Sequence, residues 1–330
     1  MTRRERVKAA LRHEQTARTP FNICPDVEMR KKLRAHLGRP PEGEELSLGR
    51  LDLNDLFFDN DVEMIHIPWW TWNLGPDWRQ PERPRSGARV KGTGNYVTFY
   101  DALKAYRQSS DRYVLAMVYG SHVEKAQSAR GFECFMADLG EDYDFARTLL
   151  RRIVDRNMVM LENILSCEGI DGVLLGSDWG SQQGLLMSLA MWDDLIRPGE
   201  QREYDLIHSC GKDVWIHSCG KVDRLIPRLI EMGADVLNPL QPECMDIAAI
   251  KAEFGARIAF WGGVSTQRLL PFGTPEEVRR EARAVKAMMR RNGGYIFAAS
   301  QEIQADVPIE NLRALLEVAR ETDDGREKRA

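Results

Sequence analysis

No apolar run in this 330-residue sequence reaches the ~18 residues needed to span a bilayer. The opening, Met1-Thr2-Arg3-Arg4-Glu5, lacks the apolar core of a signal peptide, so a cytoplasmic protein without a membrane segment is expected. No basic block stands out either. The 46 basic and 50 acidic residues are spread along the chain for a net charge of −4, so no phosphate-tracking surface and no nucleic-acid partner are expected. The six cysteines (Cys24, Cys134, Cys167, Cys210, Cys219 and Cys244) form no C-x-x-C pair, which points to free thiols in a reducing compartment rather than a disulfide framework. There is no G-x-G-x-x-G near the N-terminus, so the fingerprint of a doubly wound dinucleotide fold is missing.

What is present suits a large core: 43% hydrophobic and 29% charged residues. Thr2-x-x-Glu5 is a capping box that opens a helix to about His13. Eight stretches then read as strands: 19–23, 62–68, 113–119, 171–176, the stretch Val214–Lys221, 235–240, 257–262 and 294–298. Helical patterns separate most of them, including 26–37, 144–165, 189–210 with a break near Pro198, 222–231, 274–291 and 309–320. Strands alternating with helices imply a parallel sheet, and eight such units predict an α/β fold of the TIM (β/α)8 barrel type. The spacing predicts one domain over 1–330, with residues 1–18 as an N-terminal helical extension and a frayed tail at 321–330. Residues 81–100 predict an inserted hairpin or loop over Gly87–Tyr100.

The stretch Val214-Trp215-Ile216-His217-Ser218-Cys219-Gly220-Lys221 bears most directly on function. Strand side chains alternate, so His217 and Cys219 face one way and Ser218 the other. Imidazole and thiolate are zinc ligands, and two of them at a strand end make half a metal site. A small buried cysteine and a core histidine would read the same way. The similar run His208-Ser209-Cys210-Gly211-Lys212 reads as a helix end closed by Gly211, so His208 and Cys210 are taken as structural.

Chemistry on a TIM barrel lies at the C-terminal strand ends. Those ends supply Asp178 and Gln182 as candidate catalytic groups, with Asp178 an acid/base, an anchor for a cation, or a helix cap. Asn238, Gln241, Trp261 and Gln304 are candidate substrate contacts. Trp69, Trp70, Trp72 and Trp78 cluster after the second strand, as a wall for a flat ligand or as a packed or subunit-contact cluster. Metal candidates beyond the pair are the acidic side chains of Asp178 and Glu302, the latter at the end of strand eight.

The chain resembles the uroporphyrinogen decarboxylase (URO-D) superfamily over nearly its whole length. The strongest segments are Arg3–Pro20, Asp171–Gln183, His217–Val222, Ala234–Pro242, Phe260–Gln267 and Gly293–Asn311. The resemblance implies a TIM barrel, often dimeric, with one of two chemistries. One is cofactor-free decarboxylation of a porphyrinogen's acetates. The other is zinc-dependent methyl transfer between a corrinoid carrier and a thiol or other acceptor, with His-x-Cys on strand five and a cysteine on strand eight holding the metal. Where the decarboxylases carry propionate-binding arginines, this chain reads Asn22-Ile23-Cys24-Pro25-Asp26. A polyanionic porphyrinogen would lack its counter-charges there. His217 and Cys219 are retained, Gln301 falls where the third ligand would be, and Glu302 or Asp178 is the substitute. The resemblance therefore implies the methyltransferase-like branch: zinc-assisted methyl transfer involving a corrinoid carrier and a small acceptor or donor, with a corrinoid protein as partner and a homodimer as the assembly. A decarboxylase of a tetrapyrrole or smaller acid is the alternative, and a non-catalytic corrinoid- or tetrapyrrole-binding barrel the second.

Overall fold

Helix α1 (Arg3–Leu11) begins where the capping box puts it. In the computed structural model Thr2 N–H donates to the Glu5 carboxylate at 2.7 Å, and Glu5 N–H donates to the Thr2 hydroxyl. The structure describes residues 1–39, 57–66, 96–118 and 121–323. Among them run α2 (Val27–His36), β1 (Val62–His66), α3 (Tyr96–Ser109), β2 (Tyr113–Val118), α4 (Val123–Arg130), α5 (Phe132–Glu141), α6 (Tyr143–Leu165), β3 (Gly172–Gly176), α7 (Arg197–Ser209) and β4 (Asp213–His217). Then follow α8 (Ile226–Met232), β5 (Val236–Leu240), α9 (Ile247–Phe254), β6 (Ala259–Val264), α10 (Pro275–Met289), β7 (Tyr295–Ala299) and α11 (Ile309–Arg320). The chain forms two compact units: residues 1–65, 111–113 and 235–330, and residues 66–110 and 114–234.

In the second unit β2, β3 and β4 pair in parallel and in chain order. Leu115 lies opposite Gly172 and Val118 opposite Leu175; Gly172 lies opposite Asp213 and Gly176 opposite His217. Every residue of β3 is buried, as expected of a parallel strand covered on both faces. Helix α6 presents Phe145, Leu149, Ile153, Leu161 and Ile164 to the core along one stripe. The predicted break in the 189–210 helix is a π-turn at Trp192–Ile196, after which Pro198 sits in the first turn of α7, where no N–H partner is needed.

In the first unit β5, β6 and β7 pair in parallel, with an irregularity between Leu237 and Leu240 around Pro239. The strand predicted at 19–23 is there only as isolated parallel bridges, Phe21 to Phe297 and Pro25 to Ile303. Residue 21 pairs with 297 but residue 25 with 303, so the facing segment carries two extra residues between the bridges and no continuous ladder forms. Asn22 N–H still donates to Phe297 O (3.0 Å) and Asp61 N–H to Phe21 O (3.0 Å), which seats this segment between β7 and the approach to β1. Strand–helix alternation with parallel pairing in chain order is the architecture of a TIM (β/α)8 barrel.

Two expectations need correction. The hairpin predicted for Gly87–Tyr100 is replaced at its end by α3, which begins at Tyr96. The short apolar alternation there is outweighed by the helix-forming run Asp101–Arg107 that continues it. Residues 321–323 of the predicted frayed tail are held. Glu321 pairs with Arg283 at 2.6 Å, and the Asp323 carboxylate accepts from the Thr19 N–H and hydroxyl at 2.6 Å each. The tryptophan cluster Trp69, Trp70, Trp72 and Trp78, most of the insertion, and residues 324–330 lie outside the described residues. No described helix is long and apolar enough to cross a membrane.

Asp171 fastens α3 to the sheet of the second unit. Its carboxylate accepts from the Val114 N–H at 2.8 Å and pairs with Arg107, whose Nε donates to Gly169 O at 2.7 Å. Asp171→Ala would leave a buried N–H and a guanidinium without their acceptor, at a cost of about 3 kcal/mol. Urea unfolding should show that loss as a clear fall in the midpoint; a shift worth less than about 0.5 kcal/mol, the size of an ordinary surface substitution, would contradict this role.

Candidate metal centre

β3 and β4 end side by side, and their following loops are tied together residue by residue. Ser177 N–H donates to His217 O (3.0 Å), Trp179 N–H to Ser218 Oγ (3.0 Å), Cys219 N–H to Asp178 Oδ1 (2.8 Å) and Lys221 N–H to Ser181 O (2.8 Å). Ser218 therefore does face the opposite way from its neighbours and works as an acceptor behind the site. Two glycines permit this approach. A Cβ on Gly180 would lie 2.7 Å from Cys219 O, and one on Gly220 would lie 2.6 Å from Ser181 O. Gly220 also has φ +85°, a conformation that side chains with a Cβ rarely adopt.

The result is a small mixed donor set. Cys219 Sγ lies 3.3 Å from His217 Nε2, and Asp178 Oδ1 lies 3.8 Å from the same nitrogen. One donor atom from each of the three falls within 4.8 Å of the others. Ligands held at ~2.0–2.3 Å around one tetrahedral ion sit roughly 3.3–3.8 Å apart, so the spacing fits zinc, and nitrogen, sulfur and carboxylate oxygen are its usual partners. Three protein ligands leave a fourth position open. His217 is buried, while Cys219 and Asp178 are half-exposed, so the set is reachable from outside. Asp178 caps no helix; its Oδ1 is spent on the Cys219 N–H, which fixes the carboxylate beside the pair.

The other candidates are placed as follows. Gln182 is exposed in the turn after Ser181. In the other unit, Asn238 and Trp261 are buried and joined, Asn238 Nδ2 donating to Trp261 O at 3.2 Å. Gln241 is buried at the end of β5, and its carbonyl accepts from the Cys244 and Met245 N–H groups. Gln301 is exposed and its side-chain oxygen accepts from the Glu302 N–H at 3.2 Å; Glu302 is half-buried and Gln304 exposed. His208 is exposed in the last turn of α7, and Gly211, at φ +66°, follows the Cys210 cap, as the sequence pattern implied.

A second constellation escaped the sequence reading. His122, just before α4, is buried together with Glu200 and Glu203 of α7, Lys125 of α4 and Tyr204. Burial pushes the imidazole down to about 3 and the Lys125 amine down to about 8, and pushes Glu200, Glu203 and Tyr204 up. The only hint in the sequence was Glu200-x-x-Glu203, two carboxylates three apart on the helix face that also carries Tyr204 and Ile207.

Comparison with known proteins adds family and fold. A family model described as uroporphyrinogen decarboxylase (URO-D) matches residues 77–322. No curated protein matches the sequence. Among solved structures, a methyltransferase from Methanosarcina mazei is similar over 97% of this chain and 98% of its own, with a TM-score of 0.71 and 18% identity. A glycosylated endo-beta-1,4-xylanase from Gloeophyllum trabeum covers 82% of this chain and 92% of its own at a TM-score of 0.48 and 12% identity.

Gly220→Ala tests the interlock directly. The added methyl would strain φ and push against Gly180 and Ser181, with an expected loss of about 2 kcal/mol. Thermal unfolding should reveal it, and Gly211→Ala, whose φ is also positive but whose Cβ would meet nothing within 4 Å, is the control for strain alone. Equal losses in the two variants would mean that close loop approach contributes nothing.

Proposed function

We propose, from the premise that this chain belongs to the uroporphyrinogen decarboxylase (URO-D) family, that it is an enzyme of methyl transfer between a corrinoid carrier and a small acceptor or donor, with zinc held by His217 and Cys219 and Asp178 as the third ligand. The observation that carries this reading is the nitrogen, sulfur and oxygen donor set gathered at the ends of β3 and β4. Asp178 takes the place that the resemblance gives to a cysteine and that Gln301 cannot fill well, since an amide is a poor zinc ligand. Glu302 remains a further oxygen donor to test. The fold likeness to the Methanosarcina mazei methyltransferase is consistent with this reading and does not by itself decide it.

Zinc bound here would supply a Lewis acid that lowers the pKa of a thiol in its open position and so makes a nucleophile at neutral pH. The chain's own residues do the rest. Cys219 and His217 give the metal one negative and one neutral ligand. The Cys219 N–H holds the Asp178 carboxylate in place, so that the acceptor is not asked to organise the site on arrival. Half-exposure of Asp178 and Cys219 lets a carrier bring its methyl group to the rim. Asn238, Gln241, Trp261, Gln304 and the tryptophans Trp69, Trp70 and Trp72 are the proposed substrate contacts, and Gln182 is, with Asp178, a proposed catalytic group. All six cysteines are free, in keeping with a cytoplasmic enzyme. The Asn22–Asp26 segment offers no arginine, and Arg30, the next along the chain, is buried and donates to Pro25 O at 3.0 Å, which speaks against a porphyrinogen's carboxylates as substrate.

Protein purified without chelator should carry about one equivalent of zinc more than the His217→Ala, Cys219→Ala double variant. Loss of methylcobalamin absorbance in the presence of simple thiols should follow the same order. Asp178→Asn keeps an oxygen for the Cys219 N–H and removes the charge, so zinc affinity should fall roughly 10- to 100-fold with the thermal midpoint nearly unchanged. Zinc content that ignores the double variant would sink the ligand assignment. Zinc bound as expected with no turnover of any methyl donor would sink the activity while leaving the centre in place.

A further inference from the structure

The buried group around His122 lies in the helical layer of the second unit, and the proposed methyl transfer makes no use of it. His122 Nδ1 lies 3.2 Å from Glu200 Oε1, and one donor atom each of His122, Glu200 and Glu203 falls within 4.8 Å of the others. All three side chains are at most 1% exposed. Ser121 Oγ sits among them, 3.2 Å from His122 Nδ1, 3.3 Å from Glu200 Oε1 and 2.9 Å from Glu203 Oε2. Its single hydroxyl proton can serve one of these three acceptors. Asn157 donates to the other oxygen of Glu203 at 2.8 Å and fixes that carboxylate with Oε2 turned inward. The buried Tyr204 hydroxyl hydrogen-bonds the Glu200 carboxyl. The Ile196 carbonyl favours a proton on the His122 ring, and a proton on its far edge leaves the Nδ1 lone pair toward the carboxylates.

We propose that His122, Glu200 and Glu203 form a second divalent-cation site, of one imidazole and two carboxylates, that pins the start of α4 to α7 independently of the His217–Cys219 pair. At the centre of the group three acceptor atoms face one hydroxyl proton, and burial makes two ionised carboxylates there costly, which raises both Glu200 and Glu203. A bound divalent ion meets both shortages at once. It accepts the lone pairs that the Ser121 proton does not serve, and its charge balances the two carboxylates. Asn157 and the Ile196 carbonyl then stand where outer partners of ligating carboxylates and imidazoles stand, orienting each ligand from behind. The absence of sulfur separates this site from the first. Nitrogen and carboxylate oxygen suit manganese as well as zinc, whereas a cysteine-containing site favours zinc.

The test uses full-length protein carrying His217→Ala and Cys219→Ala, so that the first site cannot contribute. After removal of metal, titration with Mn2+ should give one bound equivalent and raise the thermal midpoint by roughly 3 °C or more at saturation. Glu200→Gln and Glu203→Gln, near-isosteric and still hydrogen-bonding, should each abolish both effects. If either variant fails to fold, pulsed EPR of Mn2+ on the folded parent decides instead, and coupling to a single imidazole nitrogen is expected. No bound metal at millimolar Mn2+, binding unchanged in the glutamine variants, or bound Mn2+ without nitrogen coupling would each overturn the site and leave a cluster that shares an extra proton. None of these outcomes bears on zinc at His217 and Cys219.

Discussion

The hydrogen bond from the Cys219 N–H to Asp178 Oδ1 is the constraint on which the proposed centre depends. It crosses from the loop after β4 to the loop after β3, and it sets a carboxylate beside the imidazole of His217 and the thiol of Cys219. The bond can form because Gly180 and Gly220 let two backbones come closer than any Cβ would allow. Ser218, Trp179, Lys221 and Ser181 complete the same seam. A parallel pair of strands in register, Gly176 opposite His217, delivers both loops to one level; the glycines then decide how near they come.

The second unit thus holds two polar constellations of opposite design. One is half-open, uncrowded and tied by backbone donors, with its donors spaced as a tetrahedral ion would space them. The other is closed, with His122, Glu200 and Glu203 sealed under α4, α6 and α7. Charge in a closed site costs several kcal/mol per ion unless it is paired, and the carboxylates there share the single ammonium of Lys125. Open sites exchange ligands and suit turnover. Closed ones bind once and hold helices together. That difference is why the first is read as a centre of chemistry and the second as a centre of assembly.

Much of the fold was legible. Each buried apolar run from Val62 onward became a strand that starts within two residues of its expected position, because a parallel strand leaves a continuous hydrophobic signature. The capping boxes at Thr2 and Thr274 placed two helix starts to the residue. The first strand shrank to two bridges because two extra residues lie between Phe297 and Ile303, a register shift that an apolar pattern hides. Tyr96–Tyr100 read as alternating and folded as helix, since a five-residue alternation is weak against the helix formers that follow. At the site, His217 and Cys219 could be paired from strand periodicity alone. That Asp178 would lie with them could be guessed only from the barrel rule. The tie to the Cys219 N–H could not, because it depends on loop geometry set by two glycines. Glu200 and Glu203 were hidden for a related reason: carboxylates on a helix look solvated until packing closes over them.

The central claim is that zinc sits between Cys219 Sγ and His217 Nε2. Crystals of the full chain grown without chelator, with data collected on either side of the zinc absorption edge, test it most directly. The account predicts an anomalous difference peak within bonding distance of both atoms, with the Asp178 carboxylate turned to it. A map in which those atoms stand as neighbours with no zinc signal beside them, after growth in the presence of zinc, would contradict it.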